Sequence, residues 1–407
     1  MANRIHIAFF GRRNAGKSSL VNAVTGQNLA IVSDVKGTTT DPVYKSMELL
    51  PLGPVVIIDT PGFDDEGELG ELRVNKAKQV LNKTDAAVLV LEPQLNEDLS
   101  PDLPSDSSLS ASEAELVSIF LAKKIPFIIV INKSDLCKTD SVNLADIRLS
   151  LPGEILPVSA KTGYNINLLK EKIAVLASCE EPQTRLVADL IRANDFIVLV
   201  IPIDKAAPKG RLILPQQQMI RDILEAGAVA ITTKESELGE TLANLGRKPA
   251  LVITDSQVFA QVSAVVPPEI PLTSFSILFA RYKGFLQTAV RGVEALDSIK
   301  DGSRILICEG CTHHRQCDDI GTVKIPRLIR NYSGTEPDFS FCSGGDFPDD
   351  LKQYKLIIHC GSCMLNGREM HCRRLQAEEQ NIPFTNYGIT IAHIQGILKR
   401  SVEMIVK

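Results

Sequence analysis

Gly11-Arg-Arg-Asn-Ala-Gly-Lys-Ser18 is the stretch of sequence that decides the fold. It directly follows the apolar run from Ile5 to Phe10, at the point where a first strand should turn into a helix. Glycine-rich loops in this position cradle phosphates with backbone N–H groups, and the following helix adds its favourable dipole. We therefore predict a phosphate-binding loop in which Lys17 reaches the β- and γ-phosphates and Ser18 holds Mg²⁺.

Three further loops follow short apolar runs, as in a nucleotide-binding sheet. Asp59-Thr-Pro-Gly62 is typical of the strand end that positions Mg²⁺ and senses the γ-phosphate. In Asn132-Lys-Ser-Asp135, the aspartate accepts hydrogen bonds from the ring N–H and the exocyclic amine of guanine. Ser159-Ala-Lys161 offers the Ala160 N–H to the same base. Adenine lacks this arrangement of donors, so the expected ligands are GTP and GDP.

Three features bear on hydrolysis. Gly37-Thr-Thr-Thr-Asp41 supplies the switch threonine that closes on Mg²⁺, and we predict Thr39, with Thr38 beside it. Phe63 occupies the position where many signalling GTPases carry a glutamine that orients water, so hydrolysis at rest should be slow. Asn14 lies where potassium-activated GTPases of this group carry a cation ligand, and K⁺ is therefore predicted to accelerate hydrolysis. The alternative for Asn14 is a simple turn residue.

The predicted nucleotide site can be given in full. Its catalytic residues are Lys17, Thr39, Asp59 and Gly62. Its nucleotide and cation contacts, with Ser18 and Thr39 on Mg²⁺ and Asn14 on K⁺, are Gly11, Asn14, Ala15, Gly16, Lys17, Ser18, Ser19, Thr38, Thr39, Asp59, Asn132, Lys133, Asp135, Ser159, Ala160 and Lys161.

Length and composition bound the rest of the chain. Its 407 residues are too many for one such domain, and 44% hydrophobic with 23% charged residues allows real cores. A net charge of −5 argues against a protein that coats nucleic acid. The longest apolar run, Phe196 to Ile203, is too short for a bilayer, and nothing resembling a signal precedes the first strand. We therefore expect a cytoplasmic protein with neither a membrane nor a nucleic-acid partner.

After Glu180 the strand and helix patterns begin again. We predict a helix at Leu186 to Ala193, and then alternating strands and helices up to a strand at Leu251 to Thr254. The expected fold is α/β: a P-loop GTPase domain (residues 1–180) followed by two smaller α/β domains with mainly parallel sheets (residues 181–298 and 299–407). The middle domain offers no nucleophile, metal cluster or phosphate loop, so an oligomer contact is its simplest role.

Cysteines concentrate in the last hundred residues, which hold seven of the nine. Disulfides are disfavoured in a chain without a signal peptide, so metal binding or redox chemistry is the preferred explanation for these cysteines. Cys311 follows one predicted strand, and Cys360-Gly-Ser-Cys363 follows another, at strand ends where open α/β sheets bind ligands. Three thiolates can converge there, on zinc or on an iron–sulfur cluster. His313, His359 and Cys317 are further candidate ligands, whereas Cys308, Cys342 and Cys372 are expected to pack in strands and a helix.

Cys311-x-His313 and His359-Cys360-x-x-Cys363, separated by 45 residues and joined to the GTPase motifs, closely resemble the FeFe-hydrogenase maturation GTPases over the full length. The resemblance implies a homodimer formed through the middle domain and a [4Fe-4S] cluster on Cys311, Cys360 and Cys363 with an exchangeable fourth ligand. It also implies a scaffold role: two radical-SAM maturases build a transient diiron precursor on the protein, which delivers it to the apo FeFe-hydrogenase.

Two rival functions belong to other classes. A ribosome- or tRNA-directed GTPase with a structural zinc domain fits the first domain, but residues 301–407 carry 13 Lys plus Arg against 13 Asp plus Glu and so show no phosphate-binding surface. A GTP-regulated thiol oxidoreductase using Cys360 and Cys363 would leave Cys311 and His313 without a role.

Overall fold

The structure is a computed structural model, and it describes residues 4–26, 41–62, 76–77, 79–95, 101–102, 109–136, 153–178, 185–203, 212–310 and 319–405. The chain divides into two compact units, residues 3–181 and 182–407.

The first unit is built on a six-stranded sheet in the order β2-β3-β1-β4-β7-β8, in which only β2 runs antiparallel to its neighbour. Its strands are β1 (Ile5–Phe10), β2 (Val43–Leu49), β3 (Gly53–Asp59), β4 (Ala86–Leu91), β7 (Phe127–Ile131) and β8 (Glu154–Pro157), and the short strands β5 (Gln94–Leu95) and β6 (Pro101–Asp102) pair separately. Its helices are α1 (Lys17–Thr25), α2 (Ala111–Ala122) and α3 (Ile166–Ser178).

The central strands of this sheet are apolar along their whole length because helices cover both faces. Alternate residues of β1 show the division: Phe9 packs in the core shared with α1 and α3, whereas Phe10 packs against Phe120 of α2. A parallel sheet brings the carboxyl ends of its strands to one edge, so the loops after β1, β3, β7 and the segment after β8 meet there.

The second unit contains two four-stranded sheets, both entirely parallel. The first, in the order β10-β9-β11-β12, consists of β9 (Phe196–Val200), β10 (Val229–Thr233), β11 (Leu251–Thr254) and β12 (Leu272–Ser274). The second, in the order β14-β13-β15-β16, consists of β13 (Arg304–Glu309), β14 (Asp338–Ser343), β15 (Leu356–His359) and β16 (Phe384–Asn386). The helices are α4 (Leu214–Glu225), α5 (Leu238–Asn244), α6 (Phe259–Val265), α7 (Phe275–Tyr282), α8 (Leu286–Gly292), α9 (Ile325–Ser333), α10 (Gly367–Glu379), α11 (Tyr387–Ile394) and α12 (Leu398–Val402).

The two sheets of the second unit follow the same plan. In each sheet, the strand that comes first in the sequence occupies the second position across the sheet. In each, the last strand is followed by a capped eight-residue helix and a turn. The matching segments are visible in the sequence as Ile270-Pro-Leu-Thr-Ser-Phe275 and Ile382-Pro-Phe-Thr-Asn-Tyr387. Gly284 and Gly396 end the two segments, with φ of 72° and 71°. The second unit is thus an internal repeat.

These findings confirm the predicted fold class, a P-loop GTPase domain followed by α/β layers with parallel sheets. One continuous hydrophobic core joins the two sheets of the second unit, from Val252 of the first to Ile357 of the second. The predicted helix at Leu186 to Ala193 is not formed: this segment makes turns, and its Val187 and Ala188 N–H groups donate to the Asp222 carboxylate. In the described part of the chain, no helix combines the length and apolarity needed to cross a membrane.

Candidate functional site

The loop between β1 and α1 has the backbone shape of a phosphate cradle. Gly16, the residue before the helix, has a φ of 84°, and a Cβ atom there would lie 2.2 Å from the Asn132 Nδ2. Both facts restrict the position to glycine. The buried Lys17 donates from its Nζ to the carbonyl oxygens of Gly11, at 2.9 Å, and Arg12, at 2.7 Å. Its ammonium group is thereby held over the loop that should receive the phosphates.

A hydroxyl and a carboxylate meet beside this loop. The Ser18 Oγ donates to the Asp59 Oδ2 at 2.5 Å, and Asp59 is only 1% exposed. Burial raises the pKa of Asp59, while the Ser18 hydrogen bond and the charges of Lys17 and Lys45 lower it. The Asp59 Oδ1 is buried and has no hydrogen-bond partner among the described residues. A buried carboxylate oxygen beside a hydroxyl is a donor set that suits Mg²⁺.

Asn132 connects the phosphate loop with the base loops. Its Nδ2 donates to the Ala15 carbonyl oxygen at 3.1 Å, and its Oδ1 accepts from the Ala160 N–H at 3.1 Å. The Ser159 Oγ donates to the Asp135 Oδ1 at 2.6 Å, which fixes the carboxylate while its residue remains exposed. The structure therefore brings the predicted guanine loops together at one edge of the sheet and orients Asp135 by a neighbouring hydroxyl.

Some of the remaining predicted residues of the nucleotide site lie in the described part of the chain, and others lie outside it. Asn14 is exposed with a φ of 62°, Lys133 has a φ of 61° and contacts Glu92, and Lys161 is exposed. Ser19 lies in α1 and Gly62 follows β3. Thr38, Thr39 and Phe63 lie outside the described residues.

The cysteine site of the second unit is formed at the carboxyl ends of β13 and β15, which are neighbours. The Cys360 Sγ accepts hydrogen bonds from the Gly310 N–H at 3.1 Å and from the Ser362 N–H at 3.3 Å. Two backbone N–H groups thus point at one sulfur, the atom through which cysteine binds metal. Burial raises the pKa of Cys363, and the charge of Lys283 partly offsets this effect.

Cys311 and His313 lie outside the described residues, as does Cys317. Gly310, which directly precedes Cys311 in the sequence, is described and donates its N–H to the Cys360 Sγ. Within the described ranges, no group of three or more His, Cys, Asp or Glu side chains is arranged to hold a metal ion. Cys308 and Cys342 lie in neighbouring strands with their sulfur atoms 3.0 Å apart, and Cys372 lies in α10.

His359 is fully buried and is engaged at both ring nitrogens. Its Nε2 lies 3.0 Å from the Arg373 Nη1, and because a guanidinium only donates, Nε2 must accept. Nδ1 then carries the proton and lies 3.1 Å from both the Cys360 carbonyl oxygen and the Ser362 Oγ. Burial and the charge of Arg373 lower the pKa of His359 to about 3. This geometry argues against His359 as a metal ligand, because neither ring nitrogen has a lone pair left to offer.

Three residues around this site were not predicted. Arg373 donates to the Gly344 carbonyl oxygen and to the Glu369 Oε1. The side-chain oxygens of Tyr387 and Glu309 both lie close to Gly321. The spacing of Glu369 and Arg373, four residues apart on one helix, was a visible signal for their ion pair. Nothing in the sequence alone marked Tyr387, because its position follows from the packing of α11.

The connected loops around Asn132 define the first unit as a P-loop GTPase domain, and the model of the 50S ribosome-binding GTPase family matches residues 6–133. Two further family models, the hydrogen maturase F dimerization and tetramerization domains, match residues 186–284 and 287–404. Because these two together cover more than half of the chain, the chain belongs to the hydrogen maturase F (HydF) family of hydrogenase-maturation GTPases.

Individual curated relatives match less than half of this chain. The tRNA modification GTPase MnmE of Endomicrobium trichonymphae is 32% identical over 48% of this chain and 40% of its own length, and that of Heliobacterium modesticaldum is 35% identical over 40% of this chain and 32% of its own length. The chain thus spans well under half the length of these curated relatives. Among solved structures, Aquifex aeolicus Era bound to GDP·AlF4⁻ is 19% identical, with a TM-score of 0.36, over 59% of this chain and 98% of Era.

Proposed function

We propose that this protein is a GTP-hydrolysing iron–sulfur scaffold that receives a diiron precursor from two radical-SAM maturases and delivers it to apo FeFe-hydrogenase in the cytoplasm. The observation that carries the proposal is the Cys360 sulfur, which accepts N–H groups from Ser362 and from Gly310, the residue before Cys311. Membership of the hydrogen maturase F family supports the hydrogenase as the final recipient.

The metal group that we assign to this site is a [4Fe-4S] cluster, which Cys311, Cys360 and Cys363 would hold. Hydrogen bonds from N–H groups to sulfur, such as those of Gly310 and Ser362, are one means by which proteins set the reduction potential of such clusters. With three cysteine ligands, such a cluster would leave one iron open to a small exchangeable ligand. The buried His359 supports the turn from within: its ring bonds the Cys360 carbonyl oxygen and Ser362.

In this proposal, the nucleotide bound at the first unit controls when the partner proteins dock. Lys17 neutralises charge on the β- and γ-phosphates, Ser18 and Asp59 hold Mg²⁺, and Asp135 selects guanine. Thr39 is proposed to join the Mg²⁺ contacts in the GTP state, with Thr38 beside it, and Asn14 to hold K⁺. Ordering of the segments around Thr39 and Gly62 would then bias docking with the partners.

The proposed domains are residues 1–180, 181–298 and 299–407, with self-association through the second and third. The dimerization and tetramerization models support oligomer formation. The first unit alone is also compatible with a ribosome- or tRNA-directed GTPase that carries a structural zinc, which remains the second candidate.

An anaerobic assay of iron, sulfide and zinc with EPR tests the proposal on the wild type, Cys311→Ala and the control Cys372→Ala. We expect about four irons and four sulfides in the wild type and the control. The reduced-cluster signal should be lost or altered in Cys311→Ala. One zinc without visible absorption would refute the cluster and favour the second candidate.

A further inference from the structure

Two cysteines outside the proposed metal site lie side by side in the second sheet of the second unit. Cys308 of β13 and Cys342 of β14 occupy the same register position on neighbouring parallel strands, and their sulfur atoms are 3.0 Å apart. Sulfur atoms this close are in direct contact, and both residues are free thiols. The scaffold function gives this pair of nucleophilic side chains no role.

The backbone holds the two residues at a separation that a disulfide can span. Register partners on adjacent strands lie about 4.8 Å apart, within the range of roughly 4.4–6.8 Å between the Cα atoms of bonded cysteines. Because Cys308 and Cys342 are paired in register, their side chains leave the same face of the sheet. A bond between the two sulfur atoms therefore requires side-chain rotation rather than movement of the strands.

The two thiols differ in their access to an external reagent. β14 is the outer strand in the order β14-β13-β15-β16, and its Cys342 is half-buried, whereas Cys308 is fully buried. The hydrogen bond with Cys308 and the charge of Arg373 lower the pKa of Cys342, although burial opposes them. Since the thiolate is the form that attacks a disulfide, Cys342 is the first sulfur to react and Cys308 the second.

Backbone hydrogen bonds connect this pair with the turn that follows β15. The Cys308 carbonyl oxygen accepts from the Cys360 N–H at 2.8 Å, and His359 is the register partner of Cys308 on its other side. A bond between the sulfur atoms of Cys308 and Cys342 would thus tie β14 covalently to the strand that anchors the Cys360 turn.

We propose that Cys308 and Cys342 form a redox-active dithiol, which low-molecular-weight disulfides of the glutathione class oxidise reversibly to an intramolecular disulfide. The Cys342 thiolate attacks one sulfur of the reagent, forms a mixed disulfide and releases one reagent thiol. Cys308 then loses its proton and attacks the Cys342 sulfur, which forms the bridge and releases the second reagent thiol. Two electrons pass to the reagent, and the two protons of the protein dithiol end on the two released thiols.

This inference goes beyond the proposed function, because the two sulfur atoms are not among the proposed metal ligands. It also agrees with the expectation that structural disulfides are disfavoured in this chain. Disulfides in reducing compartments are usually transient, and serve in catalysis or in redox sensing. The pair is therefore a second site of sulfur chemistry in the same sheet, and it responds to the balance of thiols and disulfides around the protein.

The test equilibrates the full-length protein anaerobically with mixtures of oxidised and reduced glutathione. After acid quenching, the remaining thiols are alkylated in denaturant with N-ethylmaleimide, and linked peptides are identified by mass spectrometry. Trypsin and Glu-C together place the relevant cysteines on different peptides. Cleavage after Glu309 separates Cys308 from Cys311, and cleavage after Lys352 separates Cys342 from the Cys360 turn.

We expect a peptide that links Cys308 to Cys342. Its amount should rise at least about tenfold between reduced and oxidised glutathione, and fall again with dithiothreitol. In Cys308→Ser, the resolving sulfur is missing, so Cys342 should accumulate as the mixed disulfide with glutathione. In Cys342→Ser, the buried Cys308 should remain a thiol. The control Cys372→Ser, which changes a cysteine of α10, should form the bridge like the wild type.

Alkylation of both Cys308 and Cys342 in every mixture, up to oxidised glutathione alone, would overturn the inference and leave the two residues as packed side chains. Linkage of Cys308 to Cys311, or of Cys342 to Cys360, in place of the expected pair would also overturn it. None of these outcomes bears on the iron and sulfide content of the wild type, so the scaffold proposal stands or falls separately.

Discussion

The Arg373 Nη1 lies 3.0 Å from the His359 Nε2, and both side chains are buried beneath the turn that carries Cys360 and Cys363. Glu369 accepts a hydrogen bond from the same guanidinium at 2.7 Å, so the charge of Arg373 is paired inside the protein. The histidine of the His-Cys-x-x-Cys motif is thus a neutral link between a buried ion pair and the cysteine turn.

This link predicts acid sensitivity of the cluster-free protein. The folded state keeps His359 neutral down to about pH 3, whereas the unfolded chain takes up its proton near pH 6.5. Below pH 6.5 the unfolded state therefore binds more protons, and stability falls as the pH falls. Between pH 7 and pH 5 this one group should remove about 2 kcal/mol of the unfolding free energy.

Urea unfolding of wild type and His359→Gln at the two pH values measures this effect. The amide oxygen of glutamine can still accept from Arg373, but the side chain does not titrate. The variant should lose less stability on acidification than the wild type. An equal loss in both proteins would mean that other groups carry the pH dependence.

Gly16→Ala should weaken nucleotide binding and destabilise the fold. The new methyl group would lie 2.2 Å from the Asn132 Nδ2, on a backbone with a φ of 84°. We expect a loss of more than about 2 kcal/mol in stability and at least about a tenfold loss of GTP affinity, measured by urea unfolding and by titration calorimetry.

Gly26→Ala is the matched control for that substitution. Gly26 has a φ of 66°, and no atom lies within 4 Å of the place where a Cβ would be added, so this variant isolates backbone strain from steric clash. It should cost about 1 kcal/mol and leave GTP binding unchanged. Equal GTP affinities in the two variants would contradict the role of Gly16 at the phosphates.

Asp135→Asn should change the base that the protein prefers. The carboxylate accepts from both donors of guanine, whereas an amide pairs well with xanthine, which carries an oxygen in place of the exocyclic amine. The Asn oxygen can still accept from the Ser159 hydroxyl, so the loop should keep its shape. We expect GTP affinity to fall about a hundredfold and XTP to bind better than GTP in competition assays. Retained preference for GTP would show that another group selects the base.

Asn14→Gly should remove potassium stimulation. Glycine tolerates the φ of 62° found at this position and removes only the amide side chain. Hydrolysis by the wild type in KCl should exceed that in NaCl by about tenfold, and the variant should show no such difference at unchanged GTP affinity. A variant that still responds to KCl would restore the simple turn interpretation.

The sequence predicted the elements whose signals are local. Alternation and apolar runs located the strands on which the Asn132 and Asp59 loops depend, and Cys360-Gly-Ser-Cys363 was correctly expected after a strand end. The helix predicted at Leu186 to Ala193 was wrong: the segment forms turns whose Val187 and Ala188 N–H groups bond Asp222, a residue distant in sequence that no local pattern reveals. Arg373 and Tyr387 escaped notice for the same reason: tertiary packing alone brings them to the cysteine site.

Because of the internal repeat, the carboxyl ends of the strands are arranged in the same way in both sheets of the second unit. Thr254 of β11 lies beside Val200 of β9, as His359 of β15 lies beside Cys308 of β13. Asp255 therefore corresponds to Cys360, and its carboxylate caps a turn by accepting from the Gln257 N–H at 2.9 Å. The same edge thus carries an ordinary turn in one half of the repeat and the cysteine turn of Cys360 and Cys363 in the other.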